Sequence, residues 1–228
     1  MVEEAGHGPD QISVRIHKEG FRFVGTFLFS GIVMVSIAGS SGSVFAGFLA
    51  GIMFLLAGYC AYFFRDPVRV IPRVEKGQLS PADGKILEVV EGRDAVTESP
   101  VWIIRIFLSI FDVHIQRSPV KGTVRKIRYI KGKFLDARNP KAAFENEQNR
   151  VEIEMQDGRT LVVTQIAGLI ARRIVCSVRE GQRLEAGQQI GLIRFGSQVD
   201  MVIPGSMNVK VKTGDVVKAG ITLIAEGK

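Results

Sequence analysis

The sequence predicts a mainly β protein that begins with an α-helical hairpin of apolar residues. Three observations predict this fold class: a block without charged side chains near the N-terminus, short runs rich in Val, Ile and Thr after it, and a repeat of glycine-containing turns near the C-terminus. With 228 residues, 46% of them hydrophobic, the chain is long enough to bury a core without disulfides or a structural metal. The composition excludes a disordered chain, a collagen-like repeat and a cysteine-rich secreted scaffold.

The uncharged block, residues 23–64, predicts two helices joined by a short turn. The small polar residues Gly39–Ser43 divide it into the apolar runs Phe23–Ala38 and Val44–Phe64. The second run is long enough to cross a bilayer, which takes about 20 residues, and the first is marginal. A membrane hairpin, spanning or re-entrant, is favoured over a buried hairpin in a soluble protein, because so long an uncharged run is rare in soluble cores.

Charges around this block predict its orientation. Basic residues flank both ends and the turn carries no charge, so the positive-inside rule places both flanks in the cytoplasm, at the inner face of the cell membrane. After residue 64 the chain has 27 Lys and Arg against 19 Asp and Glu, which favours attraction to anionic lipid. Nucleic acid is not an expected partner, because no basic stripe with interleaved aromatic residues is present. The flanking basic residues are Arg15, Lys18 and Arg22 on one side, and Arg65, Arg69, Arg73 and Lys76 on the other.

Two domains are predicted: residues 1–64, a polar tail with the membrane hairpin, and residues 65–228, a β-rich domain. Six runs in the second domain are bounded mostly by Gly, Asp or Pro, as strands are. Asp157-Gly158, between two of these runs, predicts a hairpin turn. Cys60 and Cys176 have no metal or disulfide spacing and are expected to be buried or lipid-facing thiols. The predicted strands are Lys85–Val90, Val101–Phe107, Thr123–Ile130, Val151–Met155, Thr160–Ile166 and Ile174–Val178.

An internal repeat lies near the C-terminus. Val178–Ile190 matches Val211–Leu223 at an offset of 33 residues, and its glycines suit tight turns with positive φ. This pattern resembles barrel-sandwich domains of the lipoyl and biotinyl type, in which a lysine between the two halves is modified. Here the interval 194–210 has no carrier motif and contains two Gly-Ser pairs instead.

Two residues of this domain are candidates for chemistry. His114 is its only histidine, and Asp83 lies in the turn sequence Ser80-Pro-Ala-Asp-Gly84. A histidine titrates near neutral pH and suits proton transfer, but a lone histidine is more often structural. An Asp-Gly turn is also structural in most cases. Taken singly, neither residue decides the function.

Taken together, five segments in the same order resemble the phosphatidylserine decarboxylases, in particular their short bacterial and archaeal form. The resemblance runs from about Phe63 to the C-terminus, and an apolar N-terminal hairpin is also typical of the short form. The segments are Phe64-Arg-Asp-Pro67, Ser80-Pro-Ala-Asp-Gly84, Asp112-Val-His114 with Arg117-Ser-Pro119, Gln165–Arg173, and Arg194-Phe-Gly-Ser197.

The resemblance implies a pyruvoyl enzyme that cuts itself between Gly196 and Ser197 and converts Ser197 into the pyruvoyl group. Gly205-Ser206 is the less favoured pair, because it falls in the stretch that follows the cut in the family, after Pro204. The expected products are chains 1–196 and 197–228, associated as a heterodimer or a higher oligomer. Neither pyridoxal phosphate nor a metal is expected.

The implied reaction is decarboxylation of phosphatidyl-L-serine to phosphatidylethanolamine and CO₂, through a Schiff base between the substrate amine and the pyruvoyl group. Asp83, His114 and Ser197 are the implied catalytic residues, and His114 would also return a proton to the α-carbon. Longer family members carry a second histidine where this chain has Arg117, so either His114 serves both self-cleavage and turnover or another group acts in one of the two steps. The implied partners are phosphatidylserine and anionic membrane lipid.

Two functions of other classes stay open. One is a non-catalytic, membrane-anchored carrier or adaptor with a lipoyl-like barrel, in which Lys210 would be the modified residue. The other is a lipid-binding module without catalysis. Both predict an intact chain. Arg172 and Arg173 are cations that suit a phosphate and equally suit an ordinary surface.

Overall fold

The computed structural model describes residues 14–94, 97–169, 173–194 and 197–227. The chain divides into two compact units, one ending at Arg69 and one beginning at Val70. The first unit contains a helical hairpin closed by a two-stranded antiparallel ribbon. Its elements are β1 (Val14–Ile16), α1 (Lys18–Ser41), α2 (Val44–Phe63) and β2 (Arg65–Pro67).

The two predicted apolar helices are confirmed, but the predicted turn Gly39–Ser43 is too long. Helix α1 continues to Ser41 because the hydroxyls of Ser40 and Ser41 donate to the carbonyl of Ile37, at 3.2 and 2.6 Å. The turn consists of Gly42 and Ser43 only. Gly42 has φ of 67°, and the hydroxyl of Ser43 caps the N-terminus of α2.

Both helices are long and apolar enough to cross a bilayer. Helix α1 has 24 residues, about 36 Å at 1.5 Å per residue, so the first helix is no longer marginal. Most of the large apolar side chains of the hairpin are exposed, whereas a hairpin in a soluble core would bury them. This suggests association with a membrane. The exposed side chains include Leu28, Phe29, Ile32, Val35, Phe45, Phe48 and Leu55.

The second unit is built of short strands around one apolar core. Eight antiparallel strands form a curled half-barrel sheet in the order β11-β7-β8-β9-β13-β5-β4-β15. Two three-stranded sheets, β10-β12-β6 and β14-β16-β3, complete the unit. The strands are β3 (Gly77–Leu79), β4 (Gly84–Arg93), β5 (Pro100–Leu108), β6 (Ile115–Arg117), β7 (Gly122–Ile130), β8 (Gln148–Met155), β9 (Thr160–Ile166), β10 (Ile174–Cys176), β11 (Arg183–Leu184), β12 (Gln189–Ile193), β13 (Ser197–Pro204), β14 (Asn208–Val209), β15 (Val216–Val217) and β16 (Leu223–Glu226), and the short helix α3 (Ala142–Glu145) precedes β8.

All six predicted strands are present, and the mainly β fold class is confirmed. Thr160–Ile166 has the predicted bounds, and the other five strands differ by one to three residues at one or both ends. Asp157-Gly158 makes the predicted turn between β8 and β9, with Gly158 at φ of 82°. Side chains alternate along β13, and Val199, Met201 and Ile203 lie in the core. The odd-numbered residues of β13 therefore face the inside of the sheet.

The predicted repeat is also visible in the backbone. Its four glycines, Gly181, Gly187, Gly214 and Gly220, all have positive φ, between 69° and 96°. The side chain of Ile71 packs against two of them. A Cβ added at Gly187 would lie 2.4 Å from the Cδ1 of Ile71, and one added at Gly220 would lie 3.0 Å from it. The second turns of the two repeats therefore meet at one apolar side chain.

Candidate active site

Ser197 is the first residue of β13 and is fully buried. It pairs with Leu108, the last residue of β5, and has the same strand parity as Val199 on the inner face. Its hydroxyl has no hydrogen-bond partner among the residues that the structure describes. An unsatisfied buried hydroxyl costs about 1–3 kcal/mol, so it calls for a functional explanation. Gly196, the other half of the predicted cleavage site, lies outside the described residues.

His114 is buried immediately before β6, and strand pairing brings it toward Ser197. Strand β6 pairs with β12, and the carbonyl of His114 accepts a hydrogen bond from the N–H of Ile193 at 3.3 Å. Ile193 is only four residues before Ser197. The antiparallel pairing thus places the only histidine of the second unit next to the segment that leads into β13.

The imidazole of His114 has a defined tautomer. Its Nδ1 lies 2.9 Å from the carbonyl oxygen of Asp112. A carbonyl oxygen can only accept, so Nδ1 must carry the hydrogen. In the neutral ring the lone pair is then on Nε2, which is the state required of a general base.

Asp83 lies in a turn that borders the same end of the sheet. Its Oδ1 accepts from the N–H of Ala219 at 2.8 Å, which ties the turn to the second repeat. The following residue, Gly84, has φ of 149°, and an added Cβ would lie 2.1 Å from the carbonyl oxygen of Phe107. Since Phe107 precedes the partner of Ser197, only glycine lets this turn approach that strand end so closely. The catalytic roles of Asp83, His114 and Ser197 stay predictions.

Three buried amide side chains form a chain of hydrogen bonds that ends at the backbone of His114. Asn149 donates to Gln165 at 2.9 Å, Gln165 donates to Gln116 at 2.9 Å, and Gln116 donates to the His114 carbonyl at 2.9 Å. Each amide sits at a strand position that is fully enclosed by the fold. The amide chain stiffens the backbone of His114, which carries the imidazole. Sequence reasoning assigned these residues no role, although polar residues among Val and Ile within strands were a usable signal.

A second buried polar cluster lies on the opposite face of β13. Gln198 donates to Asp200 at 2.5 Å, and the Nε of Arg105 makes an ionic contact with Asp200 at 3.5 Å. Arg105 also pairs with Glu88. Burial raises the pKa of Asp200 to about 6, against the lowering effect of Gln198 and Arg105.

Replacing Asp200 by Asn is expected to raise stability at pH 8 and to change it little at pH 4. The folded chain keeps a proton on Asp200 that the unfolded chain releases above its ordinary pKa of 3.8. The contribution of Asp200 to the stability of the fold is therefore fully present below about pH 4, and it is lost as the pH rises through 6. The full effect is up to about 3 kcal/mol. Thermal unfolding in detergent at several pH values measures it, and a constant difference between variant and native chain at every pH would contradict it.

The remaining sequence candidates lie elsewhere. Ser206 is exposed in the turn after β13, whose last residue, Pro204, lies about 23 Å along the strand from Ser197. The hydroxyl of Ser206 accepts from Arg159 at 3.1 Å. A cleft of about 550 Å³ opens beside Ser206, at that far end of the sheet. Arg117 donates to the carbonyl of Gly187 at 2.9 Å and so holds a repeat turn.

Other predicted groups are placed as follows. Cys60 is a buried free thiol in α2, and Cys176 is a half-buried free thiol in β10. Lys210 forms an ion pair with Glu226. Arg173 is exposed, and Arg172 lies outside the described residues. Within the described part of the chain, no three His, Cys, Asp or Glu side chains cluster as metal ligands would.

Comparison with known proteins gives a consistent result. The family model for phosphatidylserine decarboxylase matches residues 56–225. The chain is 40% identical over 208 residues to a phosphatidylserine decarboxylase proenzyme of Magnetococcus marinus, covering 91% of this chain and 93% of the relative. It is 42% identical over 213 residues to the proenzyme of Nitrosomonas eutropha, with 92% and 94% covered. For the proenzyme of Burkholderia pseudomallei the identity is 40% over 211 residues, with the same shares covered. The chain therefore belongs to the phosphatidylserine decarboxylase family.

Proposed function

We propose that this chain decarboxylates phosphatidylserine and that it makes its own pyruvoyl group at Ser197. Family membership supports the reaction, and the relatives named above are proenzymes. The observation that carries the site assignment is the buried hydroxyl of Ser197, which has no hydrogen-bond partner within the described ranges. A buried, unpaired hydroxyl at the start of a strand fits a group that is consumed in a maturation step.

Self-cleavage would begin with attack of the Ser197 Oγ on the carbonyl carbon of Gly196. The hydroxyl proton leaves to a base as the C–O bond forms and the peptide C–N bond breaks, which gives an ester and a free amine on residue 197. Loss of the Cα proton and of the ester oxygen from Cβ then releases chain 1–196 with a carboxylate. Water adds to the unsaturated residue 197, ammonia leaves, and a pyruvoyl group remains.

The chain's own residues supply three things to these steps. His114 has its lone pair on Nε2 and suits proton acceptance from the Ser197 hydroxyl and later proton return to the product. The surrounding core excludes bulk water, which strengthens electrostatic interactions with the developing charge. Asp83 holds its turn beside the site through Ala219. Once formed, the pyruvoyl group supplies the electron sink for the charge left on the substrate when CO₂ departs.

The substrate amine and carboxylate belong to a lipid, and the expected products are phosphatidylethanolamine and CO₂. The apolar hairpin would hold the chain at the cell membrane, with both of its basic flanks and the second unit in the cytoplasm. Chains 1–196 and 197–228 would stay together as a heterodimer, because β13 is paired on both sides within the sheet. The membrane partner would be anionic lipid, which the basic charge of residues 65–228 favours.

Two measurements on the purified full chain test this function together. Intact mass is expected to give chain 1–196 and a fragment 197–228 that is lighter by one ammonia than its serine-terminated form. Phosphatidylserine labelled in its carboxyl group is expected to release labelled CO₂ in vesicles that contain the cut protein. A fragment that begins at Ser206 would move the site, and an uncut chain without CO₂ release would favour a carrier or lipid-binding function.

A further inference from the structure

The loop between β5 and β6 exposes two large apolar side chains at its tip. Ser109 and Asp112 close the loop as a tight turn: the Asp112 N–H donates to the Ser109 carbonyl at 3.0 Å, and the Ser109 N–H donates to the Asp112 Oδ2 at 2.8 Å. Ile110 and Phe111 occupy the two central positions and are 36% and 62% exposed. Central positions of exposed turns are normally taken by Gly, Pro, Asn, Asp or Ser. A hydrogen-bonded turn that presents Ile and Phe to solvent therefore needs a reason.

This turn lies at the same end of the sheet as Ser197. It follows Leu108, which pairs directly with Ser197. A third exposed apolar residue, Leu169, follows β9, whose last residue Ile166 pairs with Gln198, and it is 59% exposed. Segments on both sides of β13 thus carry exposed apolar side chains where the strand begins. We call Ile110, Phe111 and Leu169 the apolar rim.

Exposed basic residues also lie at this end of the sheet. Strand β7 ends at Ile130, which lies in the same cross-strand row as Gln148, Ile166 and Gln198. The loop that follows β7 and the segment that follows β9 place exposed basic residues beyond this row. They are Lys131 and Arg173, whereas Lys133 in the same loop is paired with Glu145. Apolar side chains beside cations are the composition of surfaces that bind the interface of anionic membranes.

We propose that the apolar rim inserts into the interfacial region of an anionic bilayer and docks the Ser197 end of the second unit on the lipid surface. This inference rests on the proposed function, because a lipid substrate must bring its head group to the buried Ser197 while its acyl chains stay in the membrane. The proposed contact is separate from the apolar helices of the first unit. The hairpin keeps the chain at the membrane, and the rim orients the site toward the head groups.

Tryptophan fluorescence on the full chain tests the docking without any need for catalysis. Trp102 is the only tryptophan and lies in β5 about 20 Å along the strand from Leu108. The variant Trp102→Phe/Phe111→Trp moves the probe to the rim. In vesicles of phosphatidylglycerol and phosphatidylcholine brominated near the head-group end of the acyl chains, the emission of this variant is expected to fall by roughly half. The native chain, with Trp102 as the probe, is expected to keep its emission.

Zwitterionic brominated vesicles separate the contribution of charge, and they are expected to quench the Phe111→Trp probe less. Equal emission with brominated and plain anionic vesicles, from a protein that co-floats with those vesicles, would overturn the proposal. Emission that changes with protein concentration but not with bromination would indicate a second copy of the chain on the rim, and would overturn it as well.

A kinetic measurement separates the rim from the proposed function. Phe111→Ser/Leu169→Ser is expected to raise the KM for phosphatidylserine in vesicles roughly tenfold, with kcat nearly unchanged, because interfacial docking is weakened. Val70→Ser removes an exposed apolar side chain, 89% exposed, outside the rim and is the matched control. If the emission of the rim probe is quenched but the protein releases no CO₂, the docking is supported and the proposed function is rejected. CO₂ release with an unquenched rim and an unchanged KM would reject the docking alone.

Discussion

Ser197→Ala is expected to leave the chain uncut and to abolish decarboxylation. Alanine has no oxygen to attack the Gly196 carbonyl, so neither the ester nor the pyruvoyl group can form. The substitution removes a buried hydroxyl that has no partner within the described residues, so the fold is expected to be as stable as before or slightly more stable. Intact mass after expression and CO₂ release from labelled phosphatidylserine measure the two effects.

Two further serine variants make this result specific. Ser206→Ala is the matched control, because Ser206 also follows a glycine but is exposed at the far end of β13. It is expected to be cut and to be active at the native level. Ser197→Cys keeps a nucleophile at the same place and is expected to be cut slowly. A cut and active Ser197→Ala protein would remove Ser197 from the mechanism, and an uncut Ser206→Ala protein would move the site to Ser206.

The sequence was sufficient to predict most of the elements. Runs of Val, Ile and Thr bounded by Gly, Asp or Pro became strands, because β-branched side chains suit a pleated and half-buried surface. The apolar hairpin was equally visible. The end of α1 was not, because Gly39–Ser43 has the composition of a turn. Ser40 and Ser41 satisfy their hydroxyls on a helical carbonyl instead, and this local hydrogen bonding decides the boundary.

The candidate site was less accessible to sequence reasoning. Ser197, His114 and Asp83 came from the order of several motifs, since a lone histidine or an Asp-Gly turn has no specific meaning. The hydrogen bonds of the amide chain behind His114 could not be predicted, although polar residues within apolar strands mark its members. Gln165 bonds to residues 16 and 49 positions away in the chain, and such pairs are set by strand order and register. The exposed tip at Ile110 and Phe111 likewise needs the structure, because exposure cannot be read from apolar composition.

His114→Gln is expected to slow self-cleavage by a factor on the order of 10² to 10⁴, the usual contribution of a positioned general base. Glutamine is close to histidine in size and can still donate to the Asp112 carbonyl, so the loop is expected to stay folded. It cannot accept a proton near neutral pH. His17→Gln is the matched control, because His17 caps α1 in the first unit, and it is expected to be cut at the native rate.

The same variant decides whether one histidine serves two steps. Long incubation yields a fraction of His114→Gln protein that has been cut, and titration of its keto group counts the active chains. If His114 also returns the proton to the product, kcat for each cut chain is expected to fall by a similar factor. A native kcat for each cut chain would confine His114 to maturation and require another proton donor in turnover. Scission at the native rate would instead show that a different base activates Ser197, and the tautomer that Asp112 imposes on His114 would then serve turnover alone.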